Sequence, residues 1–408
     1  MNIAKSDIRI LKSLVGNPSD DVIRYAIETV RSKYPNDPEV AAYIARNLAE
    51  SGEVLSASGD LVGDVASTGG PSSLSTIISP LFLRASGAVV PKLGVPGRPA
   101  GGIDSLAQIP NYRTTLLARE VYRVLGESGY AHFLAGGEFA PRDGKMFRLR
   151  QETGAQAVPG LVAASLLAKK LAVGVKYAGL DVRVSSYANF GTDWASAEEN
   201  ARMFVKTAML LGIEASPVLT DAKYPYQPYL GRSESLVALD DFFDGRASSW
   251  LEDHCMTCRT LALACIPEEY RARVVHVSFD DLRSHFNQNL LAQGADPEGF
   301  KAVVQSTRRD HQIEITADHA GFCYYSVQNI RDVMVRWQKQ YVSEKGHFPD
   351  PIGLIFLHRP GTWVEKGEPL ATLRAPKKRV AEALAQLNPW VANPTAGPLA
   401  PGVERIYG

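Results

Sequence analysis

Two strand–glycine turn–helix units stand in tandem between residues 61 and 106, and no other feature constrains the fold as much. The first unit opens on Leu61, Val62 and Val65. It turns through Asp64-Val-Ala-Ser-Thr-Gly-Gly70 and Pro71-Ser-Ser-Leu-Ser-Thr76, then continues as an apolar helical run from Leu74 to Leu83. Pro80 inside that run predicts a kink or an early stop, because proline lacks the N–H a helix interior needs. A glycine turn before a helix lets backbone N–H groups converge with no Cβ between them, which makes a seat for an anion such as phosphate. Ser67, Thr68, Gly69 and Thr76 are the residues placed to line that seat; the alternative is a plain tight turn. The second unit has the strand Ala88–Leu93, the loop Gly97-Arg-Pro-Ala-Gly-Gly102 and the helix start Ile103-Asp-Ser-Leu-Ala. Such units predict neighbouring parallel strands with both loops at their carboxyl ends, where open α/β sheets bind ligands. Lys92 and Arg98 either reach that pocket as two cations or stay solvated at the surface.

At 408 residues the chain is too long for one compact core, so two or three domains are expected. Lys plus Arg equals Asp plus Glu at 44 each, and no basic stripe is present, which argues against a nucleic-acid partner. The first residues carry no apolar secretion segment, and no apolar run is long enough to span a bilayer. Four cysteines suit a reduced, cytoplasmic protein better than a disulfide framework. Cys255-Met-Thr-Cys258 raises a zinc reading, but its surroundings read as one continuous helix and no second pair of ligands lies near. Helix packing is the expectation, with no metal and no cofactor. None of the eight histidines falls in the glycine loops, so the sequence offers no histidine base there.

Residues 5–50 read as helices: an apolar stripe from Ile8 to Leu14, a second from Val22 to Val30 behind an Asn17-Pro-Ser19 turn, and a third after Pro38. A strand at Ala131–Leu134 and a helix at Gly160–Val173, which Gly174 can end, come next. The strands Leu180–Ser185 and Ala215–Thr220 then flank a helix from Ala195 to Leu211. The last hundred or so residues change to short strands, Ile352–Leu357 and Pro369–Leu373, followed by a helix over Val380–Leu387. Residues 280–310 read as polar and helical, with no assigned role.

A second constellation lies on the Gly160–Val173 helix. Ser165 and Lys169 stand four residues apart and share one face. If the preceding loop folds back, Arg150 joins them in a polar cluster on an otherwise apolar helix. The alternative is that Lys169 and Lys170 form a solvated helix end beside its dipole.

Both clusters, in their order and spacing, resemble the thymidine phosphorylase and pyrimidine-nucleoside phosphorylase family, with anthranilate phosphoribosyltransferase a more distant relative. The matching stretches are Glu50–Leu55, Ser67-Thr-Gly-Gly70, Gly101–Leu106 with Ile109-Pro110, and Arg150 to Thr153. Ala164-Ser-Leu-Leu-Ala-Lys-Lys-Leu-Ala172, Leu180–Val184, Leu219-Thr-Asp221, Pro351–Leu354 and Gly361–Leu370 extend the likeness over nearly the whole chain. The resemblance implies an α/β fold: a helical domain facing a larger mixed α/β domain across a cleft, with a C-terminal β-rich α+β subdomain. Its expected boundaries are 1–60 with 142–176, then 61–141 with 177–310, then 311–408. It also implies phosphorolysis of a pyrimidine nucleoside to free base and pentose 1-phosphate, in a cytoplasmic homodimer that contacts through the helical domain. Arg150, Ser165 and Lys169 match the residues that hold the base, with Arg150 and Lys169 the catalytic pair. Ser67 matches a phosphate-binding hydroxyl, and Thr76 stands where the family uses serine.

Departures concentrate on the phosphate side. The family reads Asp-Lys-His-Ser-Thr-Gly-Gly, so its lysine is Val65 here and its histidine Ala66. A phosphate-contacting threonine aligns with Gly102, and a serine falls at or near Gly94. Lys92 is the expected substitute cation, completing a phosphate site of Ser67, Thr68, Gly69, Thr76 and Lys92. The alternatives are a member that binds a nucleoside or nucleobase without turnover, or a transferase using a different anion or ring.

Overall fold

The computed structural model describes residues 5–68, 73–97, 99–311, 313–345, 348–398 and 404–406. Three helices open the chain: α1 (Lys5–Lys12), α2 (Asp20–Lys33) and α3 (Pro38–Ala49). Their starts follow from local chemistry. Ser19 accepts from the Val22 N–H ahead of α2, and Asp37 accepts from Glu39 and Val40 N–H ahead of α3, where Pro38 takes the first turn.

The two tandem units then appear as β1 (Gly63–Ser67), α4 (Ser75–Ala85), β2 (Val90–Gly94) and α5 (Gly102–Leu106). They are followed by α6 (Ala118–Ser128), β3 (Tyr130–Leu134), α7 (Pro141–Glu152) and α8 (Pro159–Ala172). Next come β4 (Tyr177–Val184), α9 (Trp194–Leu210), β5 (Glu214–Asp221) and the two-residue β6 (Tyr229–Leu230). Pro80 does not stop α4. The Pro80 position forgoes one bond, to the Thr76 carbonyl, while Ile77, Ile78, Leu81 and Leu83 are all buried and hold the helix in place.

β1, β4 and β5 pair in parallel, β2 pairs in parallel with β3, and a parallel bridge from Val62 to Val89 joins the two sets. All five strands therefore end on one edge, as the glycine turns require. Both faces of this sheet are covered, and alternate residues divide between them. Ala66, Leu93 and Phe133 join a core with α2, α3, α7 and α8. Val65, Val90 and Tyr130 join another with α10 (Arg232–Phe243), α11 (Ser249–Ala264), α13 (Phe279–Ala292) and α14 (Pro297–Asp310); the short α12 (Glu268–Arg271) lies between α11 and α13. Residues 280–310 thus have a structural role: Leu282, Phe286, Leu290, Phe300 and Val304 cover that second face.

The third core is C-terminal, built on β7 (Ile313–Thr316), β8 (Gly321–Phe322), α15 (Val327–Lys345), β9 (Gly353–Phe356), β10 (Trp363–Val364), β11 (Pro369–Arg374) and α16 (Val380–Val391). Its four-stranded sheet runs β6-β9-β11-β7, so residues 229–230 of the middle chain supply an edge strand. In the other direction, β12 (Glu404–Ile406) returns to pair antiparallel with β5. Among the described residues no helix is long and apolar enough to cross a membrane.

Candidate active site

The exit of β1 is pinned to β4. The Thr68 N–H donates to the Asp181 carbonyl (3.0 Å), and Thr68 Oγ1 accepts from the Arg183 N–H (3.1 Å). Ser67, beside it, is partly exposed. Gly69 and Arg98, both singled out by the sequence, lie outside the described residues. Where the chain resumes, Ser73 Oγ accepts from the Ser75 N–H, Ser75 Oγ donates to Asp181 (2.7 Å), and the Leu74 N–H donates to His254 Nε2 (2.8 Å). Arg183 donates to the same Asp181 carboxylate (2.9 and 3.0 Å) and lies over the Tyr226 ring, which stacks on His254.

The second loop is tied down by a buried pair, Asp104 with Arg232 (2.8 Å), and Asp104 also accepts from the Gly97 N–H (2.7 Å). A Cβ on Gly101 would come within 2.7 Å of that carboxylate, so close approach demands glycine there. A Cβ on Gly102 would meet Thr76 Oγ1 and His132 Cε1, both at 2.8 Å.

Lys92 is buried, and its ammonium donates to Asp64 Oδ1 (2.8 Å) and to the Val65 carbonyl (2.5 Å). It therefore engages the second and third residues of β1, not the Ser67 end that borders the first glycine turn, and does not face solvent. Burial lowers its pKa to about 8 against the opposing pull of Asp64. The other oxygen of Asp64 takes Lys170, which comes from α8. Burial alone would raise the Asp64 pKa, but Lys170 and Lys92 together hold it below the usual value.

On the helical side, Lys169 Nζ donates to Asp143 Oδ2 (2.6 Å), to the Ser165 carbonyl (2.5 Å) and to Ser165 Oγ (3.0 Å). Arg150 donates from Nε, Nη1 and Nη2 to the carbonyls of Ala155, Leu161 and Gln156, which fold the 155–161 segment back over it. Burial lowers the Arg150 pKa to about 10, opposed by the nearby Asp143 charge. Lys169 is also lowered by burial, opposed by Asp143 and deepened by Lys170 and Arg150. Arg150, Ser165 and Lys169 therefore form one cluster around Asp143. Lys169 and Lys170 are 5% and 3% exposed, which overturns the solvated helix end.

The two halves share a pattern. On the sheet side two cations meet one carboxylate, Lys92 and Lys170 on Asp64; on the helical side Lys169 alone pairs with Asp143, while the Arg150 guanidinium is held by backbone carbonyls. Each side thus holds one uncompensated positive charge in a poorly solvated setting, where an anionic group is strongly favoured. Asp64 joins the halves, because Lys170 is the neighbour of Lys169 on α8 and Lys92 belongs to the sheet. Spacing along the chain gives no sign of Asp143 or His132; Lys170 reads only as a helix end, and the only cue to Asp64 is its place at the head of the first glycine motif. Cys255, Cys258 and Cys265 are buried on or next to α11, and burial pushes the Cys265 thiol up to about 12.

No family model matches the chain. It is 25% identical over 351 residues to a pyrimidine-nucleoside phosphorylase of Bacillus subtilis, covering 83% of this chain and 81% of that one. Proteins of the same name from Staphylococcus epidermidis and Staphylococcus aureus are 24% identical, covering 86% of this chain and 84% of theirs. Similar solved structures include anthranilate phosphoribosyltransferase from Thermus thermophilus, with a TM-score of 0.46 at 14% identity over 72% of this chain and 99% of that one. The Saccharomyces cerevisiae enzyme in complex with PRPP and Mg gives 0.49 at 12% identity, over 74% and 92%. Along 83–86% of its length the chain is similar in sequence to pyrimidine-nucleoside phosphorylases.

Proposed function

We propose that this protein is a pentosyltransferase that cleaves a pyrimidine nucleoside with inorganic phosphate, giving free base and pentose 1-phosphate. The observation that carries the reading is two buried groups of cations short of carboxylates: Lys92 and Lys170 share Asp64, and Arg150, held by backbone carbonyls, accompanies the Lys169–Asp143 pair. Phosphate is the anion for the sheet side, near Ser67, Thr68, Gly69, Thr76 and Lys92. The base lies against Arg150, Ser165 and Lys169.

The chemistry then divides between the halves. A phosphate oxygen attacks C1′ of the pentose while the C1′–N1 bond breaks, and the bonding pair leaves with the pyrimidine ring. Arg150 and Lys169 stabilise the negative charge that spreads onto the ring carbonyls, charge that exists only as the bond breaks. The departing ring takes up a proton afterwards. The nucleophile needs no general base, because phosphate is already anionic at neutral pH.

One observation favours a second reading, in which another acceptor replaces phosphate. Val65 and Ala66 offer no side-chain donors, and the Lys92 ammonium is engaged by Asp64 and the Val65 carbonyl. Incubating uridine, thymidine, cytidine and their deoxy or ribo counterparts with and without phosphate separates the two. Base release that requires phosphate supports the first reading; release indifferent to phosphate rejects it. The same proposal includes a cleft between residues 1–60 with 142–176 and residues 61–141 with 177–310, and a homodimer through the helical part. Light scattering that gives the mass of one chain would remove the dimer.

A further inference from the structure

His132 lies on β3 directly across from Lys92 on β2 and is 2% exposed. Its ring lies against Gly102 with Nε2 turned toward Gly94. A Cβ on Gly102 would lie 2.8 Å from His132 Cε1, and one on Gly94 would lie 3.4 Å from Nε2. Thr76 Oγ1 is equally close to that Gly102 position, so the imidazole, the Thr76 hydroxyl and both turns converge. Position 102 is glycine here for a physical reason, because a side chain there would displace the ring, whereas a Cβ at 94 would make an ordinary contact.

The ring's protonation follows from its neighbours. Burial holds the Tyr130 hydroxyl in its protonated form, and His132 Nδ1, at 3.0 Å, is its one hydrogen-bond partner among the described residues, so the O–H is satisfied only by donating to Nδ1. Burial, with Lys92 and Lys170 nearby, keeps the imidazole neutral. A neutral ring that accepts at Nδ1 carries its proton on Nε2. Among the described residues Nε2–H meets no acceptor, and it is not one of the fully buried polar atoms left without a partner, so this edge of the ring is open to one.

We propose that the Nε2–H of His132 donates to an oxyanion, inorganic phosphate in particular, bound between the Gly94 and Gly102 turns beside Thr76. The inference rests on the reading that the sheet side binds phosphate, and it adds a binding residue that no glycine-turn pattern contains. The imidazole supplies the donor where Gly94 and Gly102 have no side chain to offer one.

The test uses the full chain with histidines labelled by nitrogen-15, titrated with inorganic phosphate and followed by NMR. His132→Gln, whose amide places an N–H close to the Nε2 position, assigns the signal. One imidazole N–H resonance, absent in His132→Gln, should move as phosphate is added. By calorimetry His132→Leu should raise the phosphate dissociation constant about tenfold or more, and His132→Gln should recover most of the loss. A stationary His132 resonance, or wild-type phosphate affinity in His132→Leu, overturns the proposal; if the leucine variant does not fold, the wild-type titration decides alone. A moving resonance with base release that ignores phosphate would leave this inference standing and remove the phosphorylase reading. Phosphate-dependent release with a stationary resonance would do the reverse.

Discussion

Removing the Asp143 carboxylate isolates the base-side cluster. Asp143 is fully buried, its Oδ2 holds the Lys169 ammonium at 2.6 Å, and its other oxygen meets no donor among the described residues. Taking one partner from a buried ion pair costs about 3–5 kcal/mol, because the other charge is left in a poorly solvated interior. Lys169 keeps the Ser165 carbonyl and hydroxyl at 2.5 and 3.0 Å, so Asp143→Ala belongs near the low end. A loss of about 3 kcal/mol is expected in urea unfolding followed by circular dichroism. The pH dependence has a definite sign. Burial already holds the Lys169 pKa below the ordinary lysine value, and without Asp143 it falls further. A lysine whose pKa is lower folded than unfolded destabilises the fold where it is charged, below the folded pKa. That penalty fades as pH rises from the folded pKa toward the unfolded one. The deficit of Asp143→Ala relative to wild type should therefore be largest where Lys169 is charged in both folded chains and shrink as pH rises past the variant's further lowered lysine pKa. The double change Asp143→Leu with Lys169→Met should lose less than Asp143→Leu alone. A deficit that stays level or grows with pH, or one below about 1 kcal/mol, would show that the pair does not carry the charge balance described here.

Asp64→Asn leaves Lys92 and Lys170 without a counter-charge, so it should destabilise the chain more than Asp143→Ala; equal or smaller loss in the same urea assay contradicts the bridging role. Gly102→Ala brings a methyl within 2.8 Å of Thr76 Oγ1 and His132 Cε1, so phosphate KM should rise with nucleoside KM little changed. Equal effects on both would place the damage elsewhere. Because burial lowers the Lys92 pKa to about 8, its charge is lost as pH rises through that value, and phosphate affinity should weaken in the same interval. Affinity held constant to about pH 9.5 would remove Lys92 from the anion site.

The sequence makes some of this legible and hides the rest, and the division is physical. Strands β1 to β5 can be read because each is a short apolar run punctuated by glycine or by a helix stripe. Ser165 and Lys169 can be grouped because a helix brings residues four apart onto one face. Pro80 misleads, since the helix-stop rule weighs one lost hydrogen bond and not the buried Ile77, Ile78 and Leu81 that hold α4 together. Asp143 stands on α7 and meets Lys169 of α8 only through space; nothing in Pro141-Arg-Asp143 marks it. The bond from Lys170 to Asp64 joins residues more than a hundred positions apart, and His132 takes its meaning from Gly94 and Gly102 on other elements. Lys92 stands out by its place at a strand end, but its engagement with Asp64 depends on how β2 lies beside β1.

The division of labour between an anion side and a base side is tested most directly by phosphorus-31 NMR of the wild-type protein with a pyrimidine nucleoside and inorganic phosphate. The account predicts that a pentose 1-phosphate resonance grows in step with free base, one for one, and that Lys169→Ala slows both together. Free base accumulating with the inorganic phosphate signal undiminished would contradict it.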